Sequence, residues 1–149
     1  MKPWLACPLA AAFLLAACKD ERSVEQQIIG VITEMETLAE AGERRAFMNF
    51  VDDDFQGQHG QMLRDDFHRF MVLQWNQNQK LHAQLFPIRV EPVDSDLARA
   101  RFRALITGGR GLIPERGELY QIETTWRRHG SDWLLLEANW VPVRDAQSR

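Results

Sequence analysis

The sequence predicts a single α+β domain, with helices in its first half and an antiparallel sheet in its second. Three observations predict it. The 149 residues are one domain's worth of chain. Apolar residues recur at helical spacing up to about Gln77, and from Leu81 onward the period changes from 3.6 to 2. The composition is 45% hydrophobic and 26% charged, with nine Gly and six Pro, which excludes collagen-like and disordered chains. A formal net charge of -3 gives no basic stripe for nucleic acid. Fifteen of the 18 basic residues are Arg.

Ser23 with Gln26 reads as a capping box at a helix start. Val24, Ile28, Val31, Ile32, Met35, Leu38 and Ala39 follow at helical spacing, and Gly42 suits the C′ position. A second, short helix is expected from about Glu43 to Val51, burying Ala46, Phe47, Phe50 and Val51. Turn residues then dominate from Asp52 to Gly60. A third helix takes Met62 to about Gln77, with Met62, Phe67, Phe70, Met71 and Trp75 as core positions.

The strands begin with Leu81–Val93, interrupted at Pro87. In Leu97–Thr107 one face carries Ala98, Ala100, Phe102, Ala104 and Ile106, and the other carries Arg99, Arg101 and Arg103. Glu118–Arg128 turns Tyr120, Ile122, Thr124 and Trp126 to one side. In Trp133–Val143 the set Leu134, Leu136, Ala138 and Trp140 alternates with Leu135, Glu137, Asn139 and Val141. His129-Gly130-Ser131-Asp132 is a hairpin turn, and Gly108–Gly111 opens a longer loop. Three helices on three or four antiparallel strands are expected, with Trp126 and Trp140 largely buried and Arg101 exposed.

Met1–Ala17 reads as an export leader: Lys2 precedes an apolar stretch from Trp4 to Ala17 that falls short of the ~20 residues a bilayer span needs. Its end, Leu15-Ala16-Ala17-Cys18, resembles the bacterial lipobox. The resemblance implies cleavage before Cys18, diacylation of its thiol, and a third, palmitate-type chain on the new amine. Several chains are needed because one alone anchors only reversibly. The only other cysteine, Cys7, leaves with the leader, so the domain carries no disulfide. Loss of Lys2 leaves 17 basic against 21 acidic residues, a net charge of -4. Lys19 after the lipidated position favours the outer membrane, facing the periplasm, by resemblance to enterobacterial sorting. The organisation is thus a leader (1–17), a tether (18–22), the domain (23–143) and a tail (144–149).

The hairpin Trp126-Arg127-Arg128-His129-Gly130-Ser131-Asp132-Trp133, within Glu118–Trp140, resembles the last strands of the nuclear transport factor 2-like (SnoaL/ketosteroid isomerase-like) superfamily. That resemblance implies a cone: a strongly curved sheet wrapped around N-terminal helices, with a pocket between them. Tyr120, Trp126 and Trp140 would line the pocket, and a homodimer through the sheet is a further implication. Such a fold hosts enzymes, binders and assembly modules alike.

Candidate chemistry is sparse. A calcium loop starting at Asp52 places Gly57 correctly but puts Leu63 where a bidentate Glu is required. His59, His68, His82 and His129 share no metal-ligand spacing, so no metal or cofactor is expected. His129 is expected to face solvent. Enzymes of the resembled fold use a carboxylate or an Asp–His pair with Tyr or Trp donors. Here that reduces to Asp53 and His59 at the cone mouth with Tyr120 opposite, because Glu123 and Glu137 fall on the outer face with the arginines. The favoured reading is an anchored, non-catalytic domain that binds a small apolar ligand or an envelope protein. The alternatives are a small isomerase- or hydratase-type enzyme and an immunity-type inhibitor of a periplasmic toxin.

Overall fold

The computed structural model describes residues 22–109 and 116–144. The leader, Cys18, the tether up to Glu21, the loop beyond Gly109 and the tail from Asp145 lie outside the described residues.

Helix α1 (Val24–Ala41) starts at the foreseen capping box, with Ser23 Oγ accepting from the Gln26 N–H at 3.2 Å and Gln26 Oε1 accepting from the Ser23 N–H at 3.1 Å. It ends at Gly42, whose φ of 71° places it in the left-handed region. Ile28, Ile32, Met35 and Ala39 form its buried stripe.

Helix α2 (Arg44–Met48) is shorter than its apolar pattern suggests. The chain leaves it because the backbone of Phe50 and Val51 is claimed by the sheet. The Leu135 N–H donates to the Phe50 carbonyl at 2.7 Å, and β1 (Val51–Gly57) follows. The Asp-rich segment is therefore a strand and not the expected turn. Val51 and Phe55 fill the core from it, and the turn comes later, where Gln58, His59 and Gly60 all take positive φ. A two-residue strand, β2 (Met62–Leu63), pairs back on β1 before α3 (Arg64–Gln77). Trp75 fastens α3 to α1, donating its indole N–H to the Ala39 carbonyl at 2.8 Å.

Strands β3 (Lys80–Leu85) and β4 (Arg89–Pro92) flank Pro87, which supplies no N–H to a ladder. Both pair antiparallel with β5 (Leu97–Gly109), which continues into β6 (Arg116–His129) and β7 (Asp132–Pro142). The sheet order is β2-β1-β7-β6-β5-β3, with β4 on the same flank of β5. It has seven strands and is mixed, not antiparallel throughout, because β1 runs parallel to β7. The expected turn supplies β1, the expected start of the third helix supplies β2, and Pro87 divides the first expected strand into β3 and β4.

On β5 the inward set Ala98, Ala100, Phe102 and Ala104 is buried while Arg99, Arg101 and Arg103 are exposed, as the alternation predicts. In β7 the expected parity fails at its start. Trp126 pairs with Leu135 and Thr125 with Glu137, so Leu136 is a bulge residue. Trp133 and Leu135 consequently face inward in place of Leu134 and Leu136, and the expected parity returns at Ala138. Trp126 is buried, whereas Trp140 is only half-buried, against Phe67 and Phe70.

The edge of β3 is covered by α1. Glu40 Oε1 accepts from the Ala83 N–H at 2.7 Å, and Glu36, one turn earlier, lies toward the Leu85 N–H. Glu40 thus occupies a backbone donor that would otherwise template another strand.

Candidate functional site

The inward faces of β5, β6 and β7 meet the helices around an apolar cavity of about 270 Å³. Its room comes from small residues: Ala104 and Ala138 floor it, where larger side chains would close it. Its walls are aromatic. Phe47, Phe67 and Phe70 come from the helical side and Trp126 and Trp140 from the sheet.

Few polar side chains reach the lining, and most are already engaged. Trp126 donates its indole N–H to Thr124 Oγ1 at 2.8 Å, and Thr124 in turn donates to the Ala100 carbonyl at 3.3 Å. The Tyr120 hydroxyl donates to Glu118 at 2.6 Å. Burial first, then this bond and the negative charge of Glu118, push the phenol up to about 12. Burial followed by repulsion from Glu40 raises the Glu36 carboxyl above the ordinary value, against the lowering effect of the Leu85 N–H. The Gln74 side chain, on α3, makes no hydrogen bond among the described residues.

Sequence reasoning named Tyr120, Trp126 and Trp140, and all three line this cavity. Asp53 and His59 do not meet. The Asp53 side chain is 99% exposed, with Arg64 Nε 3.6 Å away, and His59 sits exposed in the turn, its N–H donating to Asn139 Oδ1 at 2.7 Å. No hydrogen bond or ion pair joins them, and neither lines the cavity. Among the described residues no group of three His, Cys, Asp or Glu is placed to hold a metal ion.

The buried carboxylate of the three is Asp52, only 1% exposed. Its partners are Arg127, through Nε at 3.0 Å and a second short contact, the Asp54 N–H at 2.9 Å, and His129 Nε2 at 2.9 Å. Burial pushes its carboxyl up, but these donors outweigh burial and hold it below the ordinary value. His129 is thus drawn onto Asp52 and does not simply face solvent, although half of its side chain stays exposed. Arg127 also bonds Asp54 at 2.8 Å. The cluster lies on the side of β6 opposite Trp126, and its groups are satisfied by one another. The sequence held a hint of it, since three carboxylates after a helix C-terminus are unfavourable unless something neutralises them. Nothing in the sequence marked Glu36, which is one place along α1 from a core methionine.

A two-layer cone with this strand order decides the comparison with known structures. An uncharacterised-function nuclear transport factor 2-like protein from Pseudomonas putida superposes at TM-score 0.69 with 16% identity, over 83% of this chain and 89% of that one. A candidate dehydratase of the same family from Streptomyces avermitilis gives 0.68 with 17% identity, over 80% and 96%. The fold is the nuclear transport factor 2-like one. Bd1075 from Bdellovibrio bacteriovorus also superposes, at 0.69 with 8% identity over 80% of this chain, which spans only 41% of that longer protein. No protein-family model and no curated protein sequence matches the chain. At these identities the likeness is one of fold, which leaves function to the site itself.

Proposed function

We propose that the protein is an envelope lipoprotein, held by lipid on Cys18 at the periplasmic side of the outer membrane, whose nuclear transport factor 2-like domain binds a small apolar ligand. The observation that carries the binding reading is the cavity: apolar walls, and polar groups of which Tyr120, Thr124 and Trp126 are bonded within the protein. Catalysis of the isomerase or hydratase type needs an acid and a base free to exchange protons with substrate. Tyr120 is committed to Glu118, which leaves Glu36 on the lining without a partner for the second role, while Gln74 offers a single neutral handle for orienting a ligand. The volume of about 270 Å³ lies just under the ~300 Å³ where drug-sized sites begin, so the ligand is small, on the scale of a fused bicycle.

Titration of the chain with naphthalene, followed through the indole N–H resonances of Trp126 and Trp140, should give saturable shifts. Ala104→Leu, which fills the floor, should abolish them while the fold persists. Unsaturable shifts in the parent chain would overturn the reading. The anchoring proposal rests on Leu15-Ala16-Ala17-Cys18. Mass spectrometry of the membrane fraction should find an acylated peptide beginning at Cys18, and a free thiol there would refute it.

A further inference from the structure

The face of the sheet turned away from the cavity carries a second concavity. Where β4 leaves the Phe86–Pro87 corner and lies along β5, a groove of about 520 Å³ is lined by Arg89, Arg99, Arg101 and Arg103, with Glu91 the one carboxylate among them. The strand period places the three β5 arginines on one side of the sheet, ~7 Å apart in succession. Pairing sets Arg89 directly opposite Arg101, a juxtaposition of like charges that weakens a strand pair.

The fold neutralises some of its cations and leaves these others bare. Arg127, farther along the same face of the sheet, is met by Asp52 and Asp54, and Arg101 has Glu123 at 3.4 Å. Arg89 and Arg99 have no ion pair or hydrogen bond among the described residues, and Glu91 stays out of ion-pair range of Arg99, its strand neighbour. Arg103 is held only by its position over the Phe86 ring, 5.4 Å from the ring centre. That contact leaves its N–H donors open while fixing its plane. All of this occurs in a chain whose net charge is -3.

We propose that this outer groove is a binding site for a phosphate-bearing ligand. A guanidinium presents a planar fork of donors that matches a phosphate edge. A carboxylate offers one edge and satisfies one fork, whereas a dianionic tetrahedral phosphate offers several edges and takes two or three arginines at once. Such a ligand also offsets the repulsion between Arg89 and Arg101. Phe86 and Pro87 form the apolar end of the groove and accommodate a non-polar portion joined to the phosphate. A free phosphorylated small molecule and a phospholipid headgroup share this chemistry.

The test uses the full chain in a neutral detergent, with arginine Nε–H resonances followed during addition of inorganic pyrophosphate, and sodium chloride of matched ionic strength as the control. Saturable shifts at Arg89, Arg99 and Arg103 are expected with pyrophosphate only. Arg99→Gln combined with Arg103→Gln should weaken binding by at least about tenfold, and the single Arg89→Gln, the milder change, should weaken it by less. In a second arm the chain and the double variant are sedimented with vesicles of phosphatidylglycerol or of phosphatidylcholine. Extra binding to phosphatidylglycerol that the double variant loses identifies a headgroup, whereas a pyrophosphate response without it identifies a free phosphate compound. The proposal is overturned if pyrophosphate acts no differently from chloride, or if the double variant responds like the parent. It is equally overturned if sedimentation equilibrium shows a dimer that already covers these arginines.

Discussion

Replacing Asp52 by Asn tests the charge cluster that holds β1 to β6. Asn keeps the size and one acceptor but removes the charge, so it can meet only some of the donors that Asp52 accepts from, and its N–H₂ finds no acceptor on Arg127. Taking one member from a buried ion pair typically costs ~3–5 kcal/mol, because the remaining charge is left uncompensated. Here Asp52 is 1% exposed, whereas the side chains of Arg127 and His129 are 32% and 51% exposed, and Asp54 still reaches Arg127. Water can therefore solvate the abandoned donors, and the expected loss lies at the lower end, about 3 kcal/mol. For a domain of this size that is a fall in Tm of about 12 °C, at roughly 4 °C per kcal/mol. Thermal unfolding followed by circular dichroism measures it directly. The pH dependence fixes the cause. A carboxyl held below its unfolded value of ~3.9 contributes stability that is fully present above that pH. The contribution is lost as pH falls through the lowered folded-state value. The gap between parent and Asp52→Asn should be widest at neutral pH and close in strong acid. Adding Arg127→Gln should cost less on top of Asp52→Asn than in the parent. A gap under about 1 kcal/mol at pH 7, or one that does not change with pH, would refute the reasoning, since ordinary surface substitutions already reach half that size.

Glu36→Gln should leave stability at pH 7 unchanged or raise it, because burial and then the charge of Glu40 already oppose the charged form there. The parent gains on this variant as pH falls through the raised value of Glu36, which denaturant melts across pH 7 to 4 would follow. Trp75→Phe removes the donor that binds the Ala39 carbonyl at 2.8 Å and should cost about 1–2 kcal/mol in urea unfolding. Gly42→Ala meets no atom within 4 Å of the added Cβ, so its cost is the left-handed backbone alone, about 1 kcal/mol by the same assay. Glu40→Ala frees the Ala83 N–H on the edge of β3. Faster amide exchange at Ala83 and a greater tendency to associate through that edge are the expected readouts.

What was legible in the chain was whatever rests on local periodicity. Ser23, Gln26 and Gly42 mark both ends of α1 because capping is settled within four residues. The alternation of alanines with arginines on β5 states which side faces the core, because strand side chains alternate strictly. The same alternation placed Tyr120 and Trp126 on the cavity wall.

The errors share one cause: each depended on a partner distant in sequence. Asp52-Asp53-Asp54 has the composition of a turn, and it became a strand because β7 offered an open edge and Arg127 offered a charge, both more than 70 residues away. Leu136 breaks the parity of β7 through a bulge that only pairing with β6 produces. His129 sits in a hairpin, and its role comes from Asp52 on another strand. The sequence by itself determined the α+β class, the ends of the first helix and the inward face of β5, since local hydrogen bonding and side-chain alternation need no distant contact. Only the tertiary structure decided that the sheet is mixed, that Glu36 and not Asp53 approaches the cavity, and that unpaired arginines converge in an outer groove. Burial and charge compensation are properties of neighbours in space, and they arise when the chain closes on itself.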